Sequence, residues 1–444
     1  MGTSQSDILV LIYLARLITN PTGALTAIHK KYGDFVQTCF FNKKLLFTSN
    51  PEHYEEIFNQ EARGLLNRDS LYEAKKPMFG DGLFNSKGAT WTNQRRLMQP
   101  MFTKQAIAEW HGIMLKEACN ATRRLKKDGV TKVNISEELK TIIQSILIQV
   151  MFGQAKTSHS EELLMAAIDT IVKGLFPHLL TETLGKGKLK RLFVLQNRRM
   201  EKAINQFVAY VDSKIDGIEP TGHDLISLMM NGRDRSGSQM SRELLRDEAV
   251  TLFLAGQDTT VNTLIWFFYL IGKHEAVHKR ITSEIQGIKD DPLTPETMER
   301  LIYTKAALYE TLRLYPQAIA LSRDTATTIT VGGKTVSQGT SVIMSLYATN
   351  RDARWWERPN EFYPDHFLNG AVTQRHKYTF LPFGGGVHNC VGRHFAELEM
   401  MVIIATLLRE FTILVNEDIK PTVSITYKPE RDVIVSITQT TQAL

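Results

Sequence analysis

Cys390 follows three consecutive glycines and a histidine in "FGGGVHNCVG". A phosphate loop needs Lys followed by Ser or Thr after its last glycine, and Val387-His388 stands there instead. A closed zinc site needs four ligands, and no CxxC pair exists in the chain to join "HNCVGRH". A Rieske cluster needs two Cys and two His in paired motifs, so it fails as well. What remains is one soft ligand at the start of a helix. The peptide dipoles after Cys390 favour an anion and lower the thiol pKa. Glycines 384, 385 and 386 let the backbone turn tightly and approach a flat ligand, with amides aimed at the sulfur. A thiolate giving a single axial ligand to haem iron satisfies each feature.

A second group lies inside the long apolar helix "DEAVTLFLAGQDTTVNTLIWFFYLIGKH". Gln257, Asp258, Thr259 and Thr260 sit at its centre, and burying them without partners costs about 1–3 kcal/mol per neutral group and more for a charge. Three readings stand. The helix could span a membrane with a polar centre, although no other segment could accompany it. The threonines could bond back to carbonyls one turn earlier. Or the small pair Ala255-Gly256 clears room for a ligand while Asp258 and Thr259 handle protons beside it.

Further along, "ETLR" places Glu310 and Arg313 on one helix face. An exposed ion pair is the plain reading, worth about 0.2–0.5 kcal/mol, but its setting among Ala306, Ala307, Leu308 and Leu312 is apolar. "PNEFYPDHF" reads as a rigid, partly buried loop.

The elements that must hold these residues are mostly helical. "FVQTCFFNKKLLFTSN" predicts a hairpin around Asn42 and Lys43. "YEAKKPMFGDGLFNSKG" reads as a loop whose Met78, Phe79, Leu83 and Phe84 either wall a ligand or pin the loop to the core. From Thr90 to about Asp290 helix follows helix, broken at "GLFPHLLTETLGKGKLK" and "NGRDRSGSQ". After "LYPQ" the pattern turns to strand, with Gly332-Gly333 as a hairpin turn. A helix from Val391 to about Phe411 precedes a β-rich tail.

Composition sets outer limits. With 444 residues, 43% apolar and 23% charged, the chain is that of a folded globular protein able to enclose a large ligand. The net charge of +6 is scattered among 47 acids, which favours an acidic protein partner over nucleic acid. Three cysteines cannot form a disulfide framework, so a reducing cytoplasm fits. The apolar run Ile8 to Ala15 is too short for a transmembrane anchor and lacks the flanks of a signal peptide.

Taken together, these motifs resemble the cytochrome P450 superfamily of haem-thiolate monooxygenases, bacterial soluble type, over essentially the whole chain. The resemblance implies a mainly α fold with small β-sheets, one haem domain over 1–444. Its β-containing part covers about 1–60 and 318–370, and its helical core about 90–317 and 391–411. Haem b, iron protoporphyrin IX, would lie between the central helix and the cysteine-loop helix. Cys390 would be the iron ligand, Phe383 would pack near its sulfur, and Gly384, Gly386 and Gly392 stand at the expected places. "AGQDTT" is similar to the oxygen-activating segment, making Asp258 and Thr259 the acid and alcohol pair and Ala255 a haem neighbour. Glu310 and Arg313 would form the buried structural pair, with His366 where the family more often has Arg, a substitution that removes a guanidinium fork. "WTNQR" resembles the haem-contacting helix, so Trp91, Arg95, Arg323 and His388 would hold the propionates.

The implied reaction inserts one oxygen atom from O2 into a C–H bond of a lipophilic substrate, fatty acid or terpenoid. Leu83, Phe84, Phe253, Ala318, Ile319 and Leu321 are the expected pocket residues. Electrons would come from an external ferredoxin or flavodoxin and its reductase, docking on Arg96, Lys104 and Arg393 or leaving these as a solvated face. A haem-thiolate isomerase or peroxygenase, and a non-catalytic haem sensor, are the alternatives.

Overall fold

The computed structural model describes the chain outside residues 1–15, 18, 41–42, 69–71, 128, 130, 154–163, 165, 176–177, 179–193, 219–221, 234–236 and 441–444. The run Ile8 to Ala15, Asn42 and most of "GLFPHLLTETLGKGKLK" therefore lie outside the described residues.

The principal helices are α1 (Pro21–Tyr32), α2 (Pro51–Ala62), α3 (Tyr72–Phe79), α4 (Gly88–Met98), α5 (His111–Lys127), α6 (Ile135–Phe152), α7 (Val194–Asp216), α8 (Arg242–Lys273), α9 (Glu275–Gln286), α10 (Ile302–Leu314) and α11 (Arg393–Glu410). Among the described residues, twelve strands run between and after them: β1 (Phe35–Phe40), β2 (Lys43–Thr48), β3 (Leu66–Asn67), β4 (Lys132–Asn134), β5 (Leu321–Thr325), β6 (Ile329–Val331), β7 (Lys334–Val336), β8 (Ser341–Met344), β9 (Phe411–Leu414), β10 (Pro421–Val423), β11 (Tyr427–Pro429) and β12 (Ile434–Gln439).

The long apolar helix is α8. The Ser241 side chain caps it by accepting the Leu244 amide, and Glu243 complements the dipole in its first turn. Most of its residues from Val261 to Ile271 are buried all round, which is the pattern of a helix at the centre of a large core. It packs on α6, α7, α10 and α11, and among the described residues no helix is long and apolar enough to cross a membrane.

The expected hairpin forms as β1 and β2, and it continues into strands from the far end of the chain. The sheet order is β1-β2-β8-β5-β3, with β2 and β8 parallel and Leu45 opposite Ser341. Gly332 and Gly333, at φ 57° and 70°, turn the chain between β6 and β7, a conformation that favours glycine at both places. The β-rich tail supplies β9 to β12, which pair partly with β4.

One expectation fails in part. Residues 72–79, read as loop, are helix α3. Glu73 to Lys76 are good helix formers, Met78 and Phe79 anchor the end in the core, and Gly80 at φ 50° stops the helix. The loop proper starts there.

Candidate active site

The cysteine loop closes on itself, the Cys390 amide donating to the Phe383 carbonyl at 2.9 Å. Gly392 caps α11, and its amide is directed at the sulfur. Cys390 is open to solvent although protein surrounds it closely. Burial pushes its thiol pKa up, against the Gly392 amide and the charges of Arg95 and Arg393. This corrects the expectation of a lowered pKa: desolvation outweighs the helix end, so loss of the proton belongs with the binding of a cation, as it does for metal thiolates generally.

The glycine run has a second purpose. Gly384 and Gly386 take φ of 71° and 69°, and the loop is pressed against α2. A Cβ on Gly385 would lie 2.7 Å from Phe58, and one on Gly386 would lie 2.7 Å from Phe58 and 2.9 Å from Glu61 Oε2. The bare backbone thus makes room for a helix as well as for a turn.

Glu61 is the residue the sequence reading missed. Asn50 and Pro51 start α2, and Tyr54, Ile57, Phe58 and Glu61 form its buried stripe, so a carboxylate stands where an apolar residue is expected. It accepts from His388 Nδ1 at 2.7 Å and from Arg323 Nε. Burial opposes its charge, but His388 and Arg323 hold its pKa below the usual range. Burial lowers the pKa of His388, against the pull of Glu61. Arg323 and His388, expected on propionates, are both engaged by this carboxylate.

A third basic side chain, Arg68, joins the cluster. Its guanidinium donates to the Phe84 carbonyl at 2.7 Å, and burial, with Arg323 nearby, pulls its pKa down to about 10. Three basic side chains around one carboxylate suit a ligand with acidic arms. Trp91 lies over the His388 ring at 4.1 Å. Arg95 reaches the Asn389 carbonyl at 2.7 Å, beside Cys390.

On α8, Ala255 is exposed in mid-helix between the buried Leu254 and Gln257. Thr259 Oγ1 donates to the Ala255 carbonyl at 2.7 Å, so the back-bonding reading holds for it. Asp258 accepts from Thr426 Oγ1 at 2.5 Å, a contact from the turn between β10 and β11 that tethers the acid. Neighbouring Thr260 is the side chain that eases the charge of Glu399 of α11, an otherwise unpartnered and fully buried acid. Burial pushes its pKa up to about 8.

Glu310 and Arg313 are wholly buried, which decides against the exposed pair. Arg313 binds both Glu310 oxygens, at 2.6 and 2.7 Å, and the carbonyls of Asn350, Pro359 and Glu361. His366 completes the set with Nδ1 3.1 Å from Glu310 Oε1 and Nε2 on the Glu357 carbonyl. Both ring nitrogens face oxygen atoms, so the ring bridges Glu310 and the Glu357 carbonyl at the place where a guanidinium fork was expected. Burial opposes the Glu310 charge, yet Arg313 and His366 hold its pKa below the ordinary range.

The six expected pocket residues divide. Leu83 and Phe84 occupy the loop after Gly80, and Ala318 is exposed. Phe253 is fully buried edge-on to Phe207 at 5.7 Å. Ile319 packs on the cluster of Leu25, Ile28 and Phe47, and Leu321 on that of Leu46 and Tyr54. Phe253 is thus a core residue of α8, while Ile319 and Leu321 are half-buried against two smaller clusters. Of the basic residues expected to dock a partner, Lys104 pairs with Glu299 at 2.8 Å and Arg393 with Glu397 at 3.0 Å, while Arg96 is exposed.

Fold and site together are those of a helical protein built around one cysteine sulfur. The cytochrome P450 family model matches residues 5–437, and the chain belongs to that family. Among its relatives, cyclooctatin synthase of Streptomyces melanosporofaciens is 27% identical over 382 residues, covering 85% of this chain and 82% of the relative. Cyclooctat-9-en-7-ol 5-monooxygenase of the same organism is 26% identical over 415 residues, covering 91% and 88%. Human cytochrome P450 4V2 is 26% identical over 393 residues, covering 83% and 74%. The crystal structure of the cytochrome P450DA heme domain superposes with a TM-score of 0.86 at 22% identity, covering 96% of this chain and 95% of the other, and confirms the fold.

Proposed function

We propose that this cytochrome P450, a monooxygenase by family, inserts one oxygen atom from O2 into a C–H bond of a lipophilic fatty acid or terpenoid. The observation that carries the reading is the accessible Cys390 sulfur at the start of α11, with the Gly392 amide directed at it. The residues fit haem b: a soft donor at Cys390, Ala255 exposed in mid-helix, and Arg68, Arg95, Arg323 and His388 as basic partners for two propionates. When bound, haem supplies oxygen activation and the thiolate favours O–O cleavage.

The chain's own residues supply position and protons. Trp91, Arg95 and the His388 cluster orient the propionate edge, and the Gly392 amide steadies the sulfur charge. Thr259 presents a hydroxyl one turn beyond Ala255, and Asp258, fixed by Thr426, passes protons toward it. Electrons come from an acidic ferredoxin or flavodoxin with its reductase, for which exposed Arg96 is the docking cation. The monooxygenase relative, named for a cyclic alkenol, supports the lipophilic substrate class. Three free cysteines support a cytoplasmic setting.

The deciding experiment is the reduced, carbon-monoxide-bound spectrum of the purified holoprotein. A red-shifted Soret band that is lost in Cys390→Ser is expected. An unshifted band refutes the thiolate reading, and turnover without any electron donor replaces it with an isomerase or peroxygenase.

A further inference from the structure

Glu248 is fully buried on α8, and no step above uses it. Its Oε2 accepts the Leu83 amide at 3.0 Å, while Oε1 has no partner. One residue earlier, Asp247 Oδ2 accepts the Asp81 amide at 2.9 Å. Two consecutive helix carboxylates thus hold alternate amides of one loop. The approach is close enough to demand glycine, since a Cβ on Gly80 would lie 1.9 Å from Asp247 Oδ2 and one on Gly82 would lie 2.3 Å from Thr251 Oγ1.

The placement gives the contact its meaning. Positions 248, 251 and 255 share one face of α8. The loop therefore rests about 6 Å, or four residues of helix, before the exposed Ala255. Leu83 and Phe84 follow directly, and the Phe84 carbonyl is in turn fixed by Arg68 at 2.7 Å. Burial pushes the Glu248 pKa up to about 8, so the side chain is a neutral acid at pH 7 and glutamine is its isostere.

We propose that Glu248 is a positioning residue that sets substrate selectivity, holding through the Leu83 amide the loop that carries Leu83 and Phe84. The inference rests on the reading of these two residues as wall of a lipophilic binding site and names what fixes that wall.

The test compares Glu248→Leu and Glu248→Gln with wild type in two measurements. The first is amide hydrogen exchange over residues 80–85, which does not depend on haem. The second is the dissociation constants of imidazoles carrying alkyl chains of graded length, read by the Soret shift. In Glu248→Leu, exchange should accelerate and the affinity ratio between long and short chains should change by about tenfold, the equivalent of one buried hydrogen bond. Glu248→Gln should keep wild-type exchange and ratio. A Glu248→Leu protein with wild-type exchange or ratio overturns the proposal, as does a Glu248→Gln protein that behaves like Leu. Should Glu248→Leu fail to fold, Gly82→Ala strains the same contact from the loop side, and an unchanged affinity ratio there overturns the proposal. Rapid exchange of the Leu83 amide in wild type also overturns it. A wild type lacking the thiolate spectrum defeats the functional reading instead, while exchange still decides whether Glu248 holds the loop.

Discussion

His388 Nδ1 lies 2.7 Å from Glu61 Oε1, joining the cysteine loop to the last turn of α2 across 327 residues of sequence. The same carboxylate holds the buried Arg323. Replacing Glu61 by Ala strands that guanidinium and should destabilise the fold by about 3–5 kcal/mol. Glu61→Gln, which keeps an acceptor, should lose less. Equal urea midpoints for wild type and Glu61→Ala would refute this account.

The Glu310–Arg313–His366 cluster predicts an ordering of effects. Glu310→Gln leaves Arg313 buried without its counter-charge and should cost about 3–5 kcal/mol. His366→Ala removes one arm of the cluster, for a loss of about 1–3 kcal/mol. Thermal unfolding of the two variants checks the order, and a larger loss for His366→Ala counts against it.

Glu399 predicts a pH dependence. Its pKa is about 8 in the folded protein against an ordinary 4.5, so the folded state binds the extra proton between those values. Its contribution to stability is complete below about pH 4.5 and declines as pH rises toward 8, with a slope of up to about 1.4 kcal/mol per pH unit. Glu399→Gln should flatten the profile and exceed wild type in stability at pH 8. Urea midpoints from pH 5 to 8.5 test this, and parallel curves would exclude it.

Asp258 and Thr259 predict a loss of coupling. Thr259→Ala removes the hydroxyl, and Thr426→Val removes the donor that fixes Asp258. With a surrogate ferredoxin and reductase, both should divert NADPH from product to hydrogen peroxide, the first by about tenfold or more and the second by less. Unchanged peroxide yield in Thr259→Ala would remove it from proton delivery.

Motifs carried by local spacing were the legible part. The pairing of residues 35–40 with 43–48, the Gly332-Gly333 turn, the long helix around Asp258 and the helix after Cys390 all stand where their patterns place them. Glu310, Arg313 and His366 also converge as the order of motifs implies. What escaped is what depends on packing between distant segments. Glu61 looks like the polar face of an amphipathic helix until its place on the stripe of Tyr54, Ile57 and Phe58 is noticed. Phe253, Ile319 and Leu321 are apolar enough for a pocket, and only their tertiary contacts show Phe253 in the core and the other two half-buried against smaller clusters. The thiol pKa of Cys390 is set by desolvation, which no spacing rule contains.

The parallel pairing of β2 with β8 also bears on how the chain is made. Leu45 leaves the ribosome long before Ser341, its partner in the sheet. Contacts so distant along the chain form late, because loop closure must precede them. Throughout that interval β2 presents an open edge, the kind of surface that recruits strands from other chains. A nascent or truncated polypeptide ending before β8 is therefore predisposed to self-association, and full-length synthesis is its safeguard against aggregation.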